Sequence, residues 1–358
     1  MTQRAHVPSG GQNMHYSDLA KRIVDELLRP DGSDKLRPVH TIGIGATGYF
    51  EPSEVAPQYC KADHFITPRT KATLRFSNGS GSKTQHDDWS DVRGMATRFH
   101  LSDGTDTDLI MMTLPEFFAR TPEEFLEFTL AAKPTEVHWV SPWKKIWQML
   151  HLIPPQPDPY PDEEISPNEG AIKFANENRY SQLAVFQAAA IGAPVSYLRA
   201  AYHAVHTFVV TGEDEVERWV RFTWQPIDGV KNENPLDPPG ADYLQGRLRD
   251  RLADHTSRFT LMMQIGEVGD AFDDSTKPWP PHRQRVMMGT LTLDHAAEDT
   301  KAQDDYFEKL SFNPMLLTPG IRASEDPVLH IRKEAYAYSS GKRDATPCPF
   351  SGGAEDDQ

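Results

Sequence analysis

The chain has 358 residues, two of them cysteine, and 52 acidic side chains against 37 basic ones give it a formal charge of −15. That charge argues against a general binder of nucleic acid or anionic membranes, and Cys60 and Cys348 are too few for a disulfide framework or a cysteine zinc site. No stretch approaches roughly 18 consecutive apolar residues, so no membrane span is expected, and MTQRAHVPSGGQNMHYSD lacks the apolar core of a signal peptide, which makes the cytoplasm the expected compartment.

In chain order, residues 1–14 read as a flexible arm. Residues 16–30, YSDLAKRIVDELLRP, place Leu19, Ile23 and Leu27 beside Val24 and Leu28 at helical spacing. With Ser17 as N-cap and Pro30 past the end, this predicts an amphipathic helix. KATLRFS (71–77) alternates Ala72, Leu74 and Phe76 with Thr73, Arg75 and Ser77. That is a half-buried strand whose polar face is turned toward something. GMATRFHL (94–101) and DLIMMTL (108–114) read as two more strands around the turn SDGTDT. TPEEFLEFTLAAK (121–133) is a helix with Thr121 as cap, Pro122 at its first position and Glu124 completing a capping box. Residues 134–185 contain eight prolines and read as a long irregular wrap with a short helix near 142–152. HTFVVTG (206–212), EVERWVRFTWQP (215–226), RFTLMMQIGEV (258–268) and RVMMGTLTL (285–293) are strands. SEDPVLHIRKEAYAYSSGKR (324–343) is a helix capped by Ser324, and residues 344–358 read as a flexible tail. The pattern predicts an α+β chain: an antiparallel barrel with helices outside it, in one domain over 15–343.

RPVHTIGIGATGYF (37–50) matches G-x-G-x-x-G through Gly43, Gly45 and Gly48. A dinucleotide fingerprint must follow a buried strand and open a helix. Here Pro38 lies upstream and Pro52 and Pro57 lie downstream, so that reading fails. The glycines are expected to let the backbone pass close to a flat, bulky object, which places His40 beside it. Arg332 and Tyr336 stand four residues apart and share a helix face. An arginine against a phenol favours phenolate, a hard ligand for ferric iron and one recognised way to hold haem.

Five blocks then resemble the haem catalase family, specifically its short catalase-related peroxidases, which keep the barrel and lack a C-terminal helical domain. They are RPVHTIGIGATGYFE, LRFSNGSGS with DVRGMATRFH, DLIMMTLPEFFARTPEEF, DDSTKPWP and FNPMLLTPGIRASEDPVLHIRKEAY. The resemblance implies a catalase-type antiparallel barrel around a buried haem pocket, with haem b as cofactor. It implies His40 as the distal acid–base, Ser77 as the hydroxyl orienting it and Val39 as the residue narrowing the channel. Tyr336 is implied as the iron ligand and Arg332 as the cation keeping it ionised. Arg37, Arg75 and Arg343 match the propionate-binding arginines. Phe125 matches the ring on the distal haem face, Phe312 is carried over with the cofactor-binding residues, and Phe117 and Phe118 line the channel with Asp91 as its carboxylate. Gly43 and Gly45 would face the macrocycle edge.

One position departs from the pattern. The slot of the distal asparagine, aligned through Pro115, Phe117 and Phe118, is Met112, with Thr113 next to it. Methionine cannot donate a hydrogen bond. The resemblance thus implies a peroxidase that reduces hydrogen peroxide and organic hydroperoxides through an oxoferryl intermediate with an unidentified organic electron donor, and has weak catalase turnover. Met112 and Thr113 join His40, Ser77 and Arg332 as the residues on which turnover should depend. A fatty-acid hydroperoxide isomerase of the allene-oxide-synthase type and a haem-binding protein without turnover are the alternatives. A homo-oligomer, dimer or tetramer, is expected.

Overall fold

The computed structural model describes residues 16–27, 37–82, 84–132, 170–237 and 239–343. The expected arm, the tail, the helix near 142–152 and most of the wrap lie outside them. Ten strands form one sheet: β1 (Gly43–Pro52), β2 (Thr70–Asn78), β3 (Arg93–His100), β4 (Asp106–Met112), β5 (Tyr202–His203), β6 (Phe208–Thr211), β7 (Glu217–Pro226), β8 (Ser257–Ile265), β9 (Arg285–Ala296) and β10 (Ile321–Ala323). The order β7-β5-β4-β3-β2-β1-β9-β8 returns to β7 through a β7–β8 pairing, closing an antiparallel barrel of eight strands, from which β6 and β10 extend. This is the α+β antiparallel barrel that the sequence leads one to expect.

The period-two alternation decides what faces where. Leu74 and Phe76 of β2, Met95 of β3 and Met111 of β4 point into the barrel and are fully or nearly fully buried. There they join rings such as Phe50, which meets Phe99 edge to face at 5.4 Å and Trp224 at 6.0 Å. The void beside His64, Phe65 and Phe99 measures about 20 Å³, room for a water and not for a planar cofactor. The outward-pointing side chains of the wall are therefore the place to look for function. In register along one rung there are Gly43 of β1, Ser77 of β2, Gly94 of β3, Met112 of β4 and His203 of β5.

The strand β1 is not anticipated from its sequence. Its glycines serve packing: a Cβ on Gly45 would lie 2.2 Å from the Phe307 ring, and one on Gly43 would lie 2.7 Å from the Arg75 guanidinium carbon. The flat object over Gly45 is a phenylalanine, and Gly43 and Gly45 are accounted for without the macrocycle edge.

Nine α-helices are described: α1 (Tyr16–Leu27), α2 (Ala56–Tyr59), α3 (Asp63–Ile66), α4 (Pro122–Ala131), α5 (Gly170–Glu177), α6 (Gln182–Ala190), α7 (Leu244–Asp254), α8 (Lys301–Lys309) and α9 (Pro327–Lys342). Helices α5 and α6 replace the irregular chain expected over 170–185, and α7 and α8 are additions. Leu19, Ala20 and Ile23 of α1, Leu126 of α4 and Ile331 of α9 bury one another and seat α9 over the barrel wall. The cap of α9 is Asp326, not Ser324: its carboxylate accepts from Val328 N at 2.9 Å and Leu329 N at 3.3 Å. Pro327 takes the first helical position and moves the start two residues on. Thr121 caps α4 as expected, accepting from Glu124 N, but Glu124 accepts in return from Arg120 N.

Candidate active site

His40 leads into β1 with φ 57°, the left-handed region, which costs a histidine about 1–3 kcal/mol and persists only where neighbours over-determine it. Its Nδ1 lies 3.0 Å from Ser77 Oγ. Gly94, across the rung, lets the ring in: a Cβ there would stand 2.7 Å from Ser77 Oγ and 2.9 Å from His40 Nδ1. The Arg75 guanidinium reaches along the same wall and donates to His40 O at 2.9 Å and Thr41 O at 3.0 Å. Burial pushes the His40 pKa down to about 4; Asp91 opposes this, and Arg75, Arg332 and Arg37 add to it. The imidazole is neutral near pH 7 and able to accept a proton.

Helix α9 supplies Arg332, whose charge acts on His40. Arg332 Nη2 donates to Tyr336 Oη at 2.8 Å, the i, i+4 pairing expected from the sequence. Within electrostatic reach of Arg332, His206 Nδ1 lies 2.7 Å from Asp326, both side chains are buried, and His206 Nε2 has no hydrogen-bond partner among the described residues. The pair is not anticipated from the sequence, because Asp326 reads only as part of a helix start.

Three arginines converge on one carboxylate, Glu308 of α8. Arg37 Nη1 lies 2.9 Å from Glu308 Oε2, Arg75 Nη2 3.7 Å from the same oxygen, and Arg343 Nη1 3.6 Å from Oε1. Arg37 and Arg343 also donate to the carbonyl of Glu308, and Arg37 reaches the carbonyls of Phe307 and Leu310. Burial, then repulsion from Arg37, pushes Arg75 down to about 9 and Arg343 to about 10. Among the described residues, one carboxylate against three guanidiniums leaves two positive charges unmatched. A haem brings two propionates, and the Tyr336 oxygen offers an axial ligand, so the donor set fits that cofactor.

The remaining expected residues fall as follows. Val39 is half-buried beside His40. Met112 shares the outward rung with Ser77 and Gly94 and packs with Phe117, Phe118, Phe125 and Val328. Phe117 and Phe118 stack at 4.1 Å, and each meets Phe125 edge to face. Thr113 is a backbone partner of Arg93: its Oγ1 accepts from Arg93 N at 2.9 Å and its N–H donates to Arg93 O. Phe312 lies under the Arg98 guanidinium at 5.3 Å, and Arg98 in turn binds Asp108. Thr113 and Phe312 thus each have a partner of their own, Arg93 and Arg98. Asp91 accepts from Gly79 N and Ser80 N.

Burial lowers four histidines among the described residues, His40 and His203 to about 4, His64 to about 3, and His206, where Asp326 opposes the drop. The unfolded imidazole protonates near 6.5, so between about 6.5 and 4 the unfolded chain binds more protons and stability falls with falling pH. The midpoint of thermal unfolding is expected to drop steadily from about pH 6.5 to about pH 4; a flat profile there would contradict the burial of these rings.

The family model described as Catalase matches residues 35–347. The chain is 28% identical over 306 residues to the catalase-related peroxidase of Synechococcus elongatus, covering 85% of this chain and 82% of that one. It is 30% identical over 309 residues to the catalase-related peroxidase of Mycolicibacterium paratuberculosis, covering 85% and 87%. Its fold superposes on a fungal catalase crystal structure with a TM-score of 0.67 at 23% identity, covering 96% of this chain and 66% of that chain. Among the described residues no helix is long and apolar enough to cross a membrane.

Proposed function

The chain belongs to the catalase family, and on that footing we propose that it is a haem b peroxidase that reduces hydrogen peroxide and organic hydroperoxides with electrons from an organic donor, and that its catalase turnover is weak. The observation that carries this reading is His40, hydrogen-bonded to Ser77 and within electrostatic reach of Arg75, Arg37 and the Arg332 that donates to Tyr336. Cleavage of the O–O bond and storage of its oxidising equivalents are what a bound haem supplies. Arg37, Arg75 and Arg343 would hold its propionates, and Tyr336, to whose oxygen Arg332 donates, would ligate its iron. His40 moves the proton. With Nδ1–H donated to Ser77 Oγ, the Nε2 lone pair is free to take a proton from peroxide and return it to the leaving oxygen. Phe117, Phe118, Phe125 and Met112 keep that space apolar. Met112 gives no donor to orient a second peroxide as reductant, which is the support for weak catalase turnover.

The test is the visible spectrum of the purified protein, with added hemin where needed, before and after one equivalent of peroxide and again after a phenolic donor. A haem band that shifts with peroxide and returns with donor is expected; no haem band after reconstitution overturns the reading. An epoxide rather than an alcohol from a polyunsaturated hydroperoxide would assign an isomerase instead. In the same assay Met112→Asn is expected to raise oxygen evolution relative to donor oxidation about tenfold, the scale of one added hydrogen bond of about 1.4 kcal/mol. An unchanged ratio would remove Met112 as the cause.

A further inference from the structure

The His40–Thr41 backbone is gripped from both sides. Its carbonyls accept from Arg75. Its N–H groups donate to the turn that follows β2, His40 N to Gly79 O at 3.1 Å and Thr41 N to Ser80 O at 3.3 Å. That turn is itself fixed by a single carboxylate oxygen: Asp91 Oδ2 accepts from Gly79 N at 2.7 Å and Ser80 N at 3.1 Å, and lies 3.3 Å from Arg93 Nη1. The turn is pressed onto the group, since a Cβ on Gly79 would lie 2.9 Å from Asp91 Oδ1 and 2.7 Å from Val92 O. Arg75 and the Gly79–Ser80 turn thus lock a left-handed histidine by its backbone, and Asp91 acts on it through that turn.

We infer that Asp91 is a positioning residue for His40, acting through the Gly79–Ser80 turn rather than as a charge in the substrate channel. The inference rests on the reading of His40 as the reacting base. A carboxylate that served a channel would need its charge; one that serves a turn, and meets Arg93 through the same oxygen, needs an acceptor oxygen there. Since one oxygen makes both backbone contacts, the amide oxygen of asparagine can take its place, and alanine cannot.

The experiment compares Asp91→Asn and Asp91→Ala with the unaltered protein in two measurements, deuterium exchange of the His40 and Thr41 amides and the rate of peroxide-dependent guaiacol oxidation. Asp91→Asn is expected within about twofold of the parent in both. Asp91→Ala is expected to speed amide exchange about tenfold and to slow oxidation on the order of 100-fold through misplacement of the ring. If Asp91→Asn slows oxidation as much as Asp91→Ala while the amides stay protected, the charge is what matters and the inference falls. It falls equally if Asp91→Ala changes neither quantity. If Asp91→Ala loosens the amides without slowing oxidation, the clamp stands and the role of His40 as base is what fails. Should Asp91→Ala not fold, parental values for Asp91→Asn in both measurements support the inference, and slowed oxidation with protected amides overturns it.

Discussion

His40→Gln lowers the second-order rate constant for peroxide reduction by about 10²–10⁴-fold, the range for loss of a positioned general acid–base group, while haem content stays at the parental level. Glutamine keeps polar atoms near Ser77 but has no nitrogen that can both take and return a proton at neutral pH. Haem content is expected to be insulated because the His40 ring is hydrogen-bonded to Ser77 and not to Tyr336 or Arg332, and Arg75 grips the backbone of residue 40, not its ring. The pH profile adds a second signature. With the His40 pKa pushed down to about 4 by burial, the parental rate should hold through neutrality and fall only as the pH drops toward about 4, whereas His40→Gln should lose that limb. A rate within tenfold of the parent at neutral pH would show that another group moves the proton.

Tyr336→Phe is expected to lower the haem-to-protein ratio after gel filtration by more than about tenfold, since on the proposed reading Tyr336 supplies the oxygen that would ligate the iron. The protein should otherwise fold as before. Tyr336 is half-buried, and the one hydrogen bond described for it is that donated by Arg332. The far-ultraviolet circular dichroism and thermal midpoint of the hemin-free protein therefore serve as the control. Full haem retention in Tyr336→Phe would mean that iron is held by another residue. Arg332, freed of its acceptor, would still face the buried His206–Asp326 pair.

Much of this arrangement is legible in the sequence because it is local. The alternation of Thr73, Arg75 and Ser77 against Leu74 and Phe76 marks the outer wall, and the four-residue step from Arg332 to Tyr336 marks one helix face. What is not legible depends on residues that meet across long separations. Glu308 stands 271 residues from Arg37, on a short, charged helix that carries no apolar stripe of note. The strand β1 is hidden by its glycines, which disfavour a strand in isolation and are needed because Phe307 and Arg75 come too close for a Cβ. Gly94 reads as an ordinary strand residue until Ser77 and His40 are placed against it. Phe312 is carried over by its place in the matching block, and the partner its ring shows, Arg98, is one that pattern alone does not assign.

The barrel wall is a single residue thick, and that sets how sequences of this kind can change length. In β2 the aromatic lining and the reacting face occupy alternate positions, Phe76 inward and Arg75 and Ser77 outward. One residue inserted or deleted within Thr70–Asn78 would exchange the two sets, sending a guanidinium into the hydrocarbon and a phenyl ring against His40. Core and chemistry are therefore read in one frame along this strand, and tolerated length variation is confined to the connections between strands.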